Sequence, residues 1–161
     1  MEEKYKAILK DINAAINEFS GFLDPEYRLR EIGDEQTSDK GLSWDLSVDG
    51  WNEASFPSNF RRGVYLLFGS NSEKGLHGVY VAKASYNNCI GKRLDFHLNN
   101  PRRDDKIYPM KDGSGTEYLI DFVTTIPLHE RLSFLASSLE EYIVRSLSDK
   151  KIHLLNQIGR S

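Results

Sequence analysis

Between residues 62 and 98 the chain reads R-G-V-Y-L-L-F (62–68), a turn rich in Gly, Asn and Ser, H-G-V-Y-V-A-K-A-S (77–85), and then I-G-K-R-L-D-F-H-L (90–98). The first two segments are β-branched and aromatic, and each carries a tyrosine directly after Gly-Val. They predict an antiparallel pair of strands at about 62–68 and 77–83, joined by a loop from Gly69 to Leu76 rather than by a tight turn. The third segment has helical spacing and predicts a helix over about 88–98, stopped by Asn99, Asn100 and Pro101. Arg93 and His97 are four residues apart, so they stack on one helical face. Two potentially cationic groups gain nothing from facing each other, and an anion between them makes the arrangement favourable. Phenol, guanidinium and imidazole together suit a phosphate ester: the arginine forks onto phosphate oxygens, and a phenol or imidazole moves a proton.

Outward from this centre, residues 2–23 place Tyr5, Ile8, Leu9, Ile12, Ala15, Ile16, Phe19, Phe22 and Leu23 on one stripe, the pattern of an amphipathic helix ended by Asp24-Pro25. That stripe must cover either the rest of the fold or a second copy of the chain, the latter giving a homodimer through the N-terminal helix. Trp44, Leu46, Val48 and Trp51 alternate as in a short strand. Residues 99–116 are polar and basic, with Asp112-Gly113-Ser114-Gly115 as a flexible tip. Residues 118–125 predict a third strand. Pro127 then opens a long helix through Leu147, with Leu132, Leu135, Ala136, Leu139, Ile143 and Leu147 buried. Residues 152–156 fold back. The expected class is α+β, a small three-stranded, mainly antiparallel sheet flanked by helices, with residues 1–58 as an N-terminal helical and acidic extension packing on a catalytic domain at 59–161.

Composition narrows the options. The chain has 161 residues, 39% of them apolar, with eight Phe, eight Tyr and two Trp, which is enough for a real core. The lone Cys89 excludes a disulfide framework within the chain and any multi-cysteine zinc site, and a reduced thiol suits a cytoplasmic setting. No stretch approaches the ~20 apolar residues of a membrane helix. The net charge of −3 conceals an asymmetry. Residues 1–58 hold 6 Lys/Arg against 13 Asp/Glu, whereas residues 59–161 hold 15 against 11. The positive excess is densest from Lys83 to Lys111, and a local basic surface is what phosphate contact requires.

Taken in order, Gly63-Val64-Tyr65, Tyr80-Val81-Ala82 with the following Lys83-Ala84-Ser85, Gly91-Lys92-Arg93-Leu94 with His97, Leu139-Glu140-Glu141-Tyr142-Ile143, and Leu154-Leu155-Asn156 resemble the signatures of the GIY-YIG endonuclease superfamily. The resemblance spans roughly residues 60–158. It departs at Ala82, where the family has glycine. It implies a Mg²⁺-dependent DNA endonuclease, with Mn²⁺ able to substitute, that hydrolyses phosphodiester bonds by a one-metal mechanism to 5′-phosphate and 3′-hydroxyl products. Tyr65 would act as general base on water and Tyr80 would orient the nucleophile. Lys83 would lend positive charge, Arg93 and His97 would hold the phosphate, Glu140 would bind the metal, and Asn156 would anchor the site.

Glu140 and the adjacent Glu141 point about 100° apart on a helix, so only one can serve, and Glu141 is the substitute if the register slips by one. Lys92, Arg102, Arg103 and Lys106 are candidate nucleic-acid contacts. The alternative is a module with the same fold that binds nucleic acid or a protein partner without turnover. His77, His129 and His153 read as ordinary surface or strand-end histidines.

Overall fold

The computed structural model describes residues 2–33, 43–45, 58–99 and 108–156. Its elements are α1 (Glu3–Ser20), β1 (Ser43–Asp45), β2 (Gly63–Asn71), β3 (Leu76–Ala84), α2 (Ile90–Asn99), β4 (Pro109–Lys111), β5 (Glu117–Pro127) and α3 (Ala136–Asp149). The architecture is α+β. Among the described residues, antiparallel β3, β2 and β5 form the body of a five-stranded sheet, and the three-residue strands β1 and β4 both pair with β5. The sheet is therefore larger than the three strands read from the sequence. Strand β1 falls at the start of the expected 44–51 strand, the rest of which lies outside the described residues.

Alternation along β2 and β3 sorts side chains onto two faces. Val64, Leu66, Phe68, Val79 and Val81 join the stripe of α1 and the buried positions of α3 in one core, while Tyr65, Leu67, Ala82 and Ala84 join Ile90, Leu94 and Leu98 of α2 in the other. Helices α1 and α3 thus lie on one side of the sheet and α2 on the other. The stripe of α1 is spent inside the chain: Tyr5, Ile12, Ala15 and Ile16 are at most 1% exposed. Phe22, read as part of that stripe, lies beyond the helix and is exposed.

Three further expectations are corrected. Gly69, Ser70 and Asn71 continue β2 opposite Gly78, His77 and Leu76, so the hairpin closes over residues 72–75 instead of a loop from Gly69 to Leu76. Pro127 ends β5 rather than opening a helix; a 3₁₀ segment at Glu130–Leu135 precedes α3, and Leu132 is only half-buried. Residues 112–115 form a hydrogen-bonded turn, not a flexible tip. Asp112 Oδ1 accepts from the Ser114 and Thr116 backbone N–H groups and from the Ser114 hydroxyl, and this fastens β4 to β5. Among the described residues no helix is long and apolar enough to cross a membrane.

Candidate active site

Strand pairing sets Tyr65 opposite Ala82, and both face α2 beside Tyr80. Helix α2 starts where the Ile90 N–H donates to the Arg61 carbonyl and the Gly91 N–H to the Asn59 carbonyl, both at 2.8 Å. Gly91 is required there, because a Cβ would collide with Asn59. This docking fixes the rotation of α2. It turns Leu94 and Leu98 into the core and carries Arg93 and His97, one turn apart, over the tyrosines. The His97 ring lies 5.8 Å from the Tyr65 ring and 5.3 Å from the Tyr80 ring, centroid to centroid. Tyr65 is fully buried, whereas Tyr80, Arg93 and His97 are half-buried and carry the cluster to the surface.

Burial dominates the electrostatics. It pushes the Tyr65 phenol well above the ordinary tyrosine range; neighbouring Tyr80 and Glu140 add to the rise, and the Arg93 guanidinium opposes it. Burial also raises Tyr80, with Arg93 opposing and Glu140 adding. Burial and the nearby Arg93 charge hold the His97 imidazole down to about 4. At neutral pH all three rings are uncharged. Without a metal ion these surroundings favour the neutral phenol, and the cation acting on both phenols is Arg93; a phenolate at Tyr65 requires a further positive charge such as a bound metal ion. Two polar atoms here, Tyr65 OH and His97 Nε2, are buried without a well-formed hydrogen bond in the protein, although the Arg93 guanidinium lies close enough to the Tyr65 hydroxyl to act on it as a donor. Buried polar atoms are nearly always satisfied, so these two are open to water or to a polar ligand.

Glu140 reaches the same region from the opposite layer. Helix α3 buries Leu139 and Ile143 and leaves the Glu140 side chain one-quarter exposed, with its carboxylate 3.3 Å from Lys83 Nζ. Lys83, on the α3 side of β3, therefore serves Glu140. Glu141 points away and pairs with Arg145 at 2.7 Å. No group of three His, Cys, Asp or Glu residues suited to a metal occurs among the described residues. A single half-buried carboxylate, near enough to act electrostatically on both phenols, still fits magnesium, which keeps most of its waters and takes its remaining oxygens from substrate.

Asn156 does not touch the rings. Its side chain accepts from the Val81 N–H at 2.9 Å and donates to the Val81 carbonyl, holding the free edge of β3 between Tyr80 and Ala82. Ala82 is 4% exposed in regular strand, and its methyl packs into the α2-side core without backbone strain. Lys92 is exposed on α2. Arg102, Arg103 and Lys106 lie outside the described residues.

A second cluster was not legible from the sequence. The Tyr118 hydroxyl lies 2.7 Å from His153 Nε2, which is also 3.5 Å from Asp112 Oδ2. His153 is not an idle surface histidine: its ring fastens the tail to β5 while its carbonyl accepts from the Val79 N–H. Thirty-five residues separate it from Tyr118, and no local pattern announces such a pair. No protein-family model, curated protein or solved structure matches this chain.

Proposed function

We propose that this chain is a GIY-YIG-like endonuclease that hydrolyses phosphodiester bonds in DNA with the help of a divalent cation. The observation that carries this reading is the meeting of Tyr65, Tyr80, Arg93 and His97, two of whose buried polar atoms lack a well-formed hydrogen bond, with the Glu140 carboxylate within electrostatic reach of both phenols. Arg93 receives the scissile phosphate and balances its charge. Tyr65 and Tyr80, both neutral, donate hydrogen bonds to phosphate oxygens or to the attacking water. His97, uncharged at neutral pH, accepts a hydrogen bond from that water and orients it; as the water attacks phosphorus its proton passes to solvent, the bond to the 3′ oxygen breaks, and that oxygen takes a proton from solvent. Glu140 would hold magnesium or manganese, which when bound supplies Lewis acidity at the phosphate.

Nicking of a supercoiled plasmid in Mg²⁺ tests this directly. Glu140→Ala and Arg93→Ala should each lower the rate by roughly 10²-fold or more while leaving the thermal transition intact. Unchanged nicking in both variants would remove the assignment.

One observation favours a second reading, a nucleic-acid-binding module without turnover: the Lys83 ammonium already neutralises Glu140. That reading expects DNA binding that weakens with salt, is indifferent to metal, and is accompanied by no cleavage. Lys83→Met separates the two, since freeing Glu140 changes the metal dependence of a nuclease and leaves a passive binder as it was.

A further inference from the structure

Helix α2 carries a second surface stripe beside the one that lines the site. Lys92 and Phe96 are four residues apart and both exposed, and each directly precedes a site residue, Arg93 or His97. Phe96 is 59% exposed, yet its ring stands edge-on to His97, with centroids 5.7 Å apart and planes at 85°. In the turn that precedes the same helix Tyr86 is 84% exposed and sits at φ 59°, a left-handed conformation that a bulky residue rarely adopts. The Arg62 side chain donates to the Tyr86 carbonyl at 2.8 Å and holds it there. Strained residues presented to solvent near a site point to use, and neither ring is required by the core.

We infer that Phe96 is a stacking platform for an unpaired nucleobase next to the scissile phosphate, with Tyr86, in the turn before the helix, as a second ring, so that the preferred substrate contains a single-stranded stretch. Bases within a duplex stack on each other and expose no face to a side-chain ring, whereas an unpaired base offers its face to an exposed aromatic flanked by cations. The cations here are Lys92 one turn before Phe96 and Arg93 on the adjacent stripe, spaced to take the backbone on either side of a stacked base. This inference rests on the nucleic-acid reading above but does not require turnover.

The test is metal-free binding of a single-stranded oligodeoxynucleotide of about a dozen residues with 2-aminopurine at its centre, against an abasic strand of equal length and the matching duplex. The base-bearing strand should bind roughly tenfold more tightly than the abasic one, with a change in 2-aminopurine fluorescence. Phe96→Ala should erase that preference, Phe96→Trp should keep it, and Tyr86→Ala should reduce it. Both side chains are exposed, and an unchanged thermal transition verifies that each variant is folded. Equal binding of the two strands, no binding of either, or an unaltered preference in Phe96→Ala overturns the inference. A Phe96-dependent base preference with no Mg²⁺-dependent cutting of either the plasmid or the single-stranded oligonucleotide leaves the stacking site standing and removes the nuclease reading. Nicking with no dependence on Phe96 does the reverse.

Discussion

The Tyr65 hydroxyl has no well-formed hydrogen bond inside the protein beyond the influence of the Arg93 guanidinium, and a buried group left unsatisfied costs about 1–3 kcal/mol. Tyr65→Phe removes the group and keeps the ring in the α2-side core. The variant should gain about 1 kcal/mol, read as a higher urea midpoint, and lose roughly 10²-fold in nicking rate. A stabilised variant with full activity would leave the hydroxyl no role in the reaction. His97 offers a second test through pH. Its imidazole is held at about 4, against 6.5 for the free group, so the unfolded chain takes up the proton first as pH falls. Stability from the neutral ring is complete above 6.5 and is lost as pH drops toward 4. Thermal scans across that window should show a smaller decline for His97→Gln than for the parent chain, and equal declines would contradict the burial of a neutral ring. At this scale the sequence was informative because Arg93 and His97 are neighbours on a helix, and periodicity alone puts them together. It was silent on ionisation, which depends on which side chains surround the phenols. Lys83 therefore looked like the partner of Tyr65, when strand alternation turns it toward Glu140.

Strand β3 would be a bare edge without the tail. The Leu155 N–H donates to the Val79 carbonyl, the Val79 N–H to the His153 carbonyl, and Asn156 then satisfies both backbone groups of Val81 with its side-chain amide. An asparagine fits because its amide carries a donor and an acceptor side by side, as a backbone peptide does. Asn156→Asp replaces the donor with a carboxylate oxygen facing the Val81 carbonyl. It should destabilise the fold by about 1–3 kcal/mol in urea titrations and loosen the strand that presents Tyr80. Asn156→Ala should cost less, and equal, negligible losses in both would show that the clasp carries no weight. Element type was readable where a period ran unbroken, as in α1, β2 and α2. It failed where geometry interrupts the period. Residues Tyr118, Ile120 and Val123 face α2 while Phe122 faces the other way, because Asp121 is an extra residue opposite the Phe68–Gly69 step. Such a bulge shifts the alternation by one and leaves no mark in composition. Pro127 misled for a related reason: at the last position of a strand it suits the backbone as well as it does the first turn of a helix.

Across the whole molecule the decisive fact is that the acidic N-terminal segment supplies a layer of the fold. Without α1, the core on that face of the sheet would be covered by α3 alone, since Ile12 and Ile16 are completely buried against a core shared with β2, β3, β5 and α3. Polar links reinforce that packing: the Tyr142 hydroxyl donates to Glu18 at 2.8 Å, and Lys150 pairs with Asp11 at 2.6 Å. Periodicity revealed an apolar stripe but could not say whether this chain or a second copy covers it, because both would demand the same spacing. The placement of α1 turns that ambiguity into a measurement. An acidic segment that merely shields a basic surface could be removed with a gain in DNA affinity and no loss of structure. A helix that closes a core cannot. Ile12→Ala should therefore cost about 2–5 kcal/mol by loss of buried apolar contacts, and the chain beginning at residue 24 should give no cooperative thermal transition. A truncated chain that melts cooperatively and binds DNA more tightly would show that α1 is a regulator laid over a complete domain. The intramolecular burial of Tyr5, Ile12, Ala15 and Ile16 argues that the domain is incomplete without it.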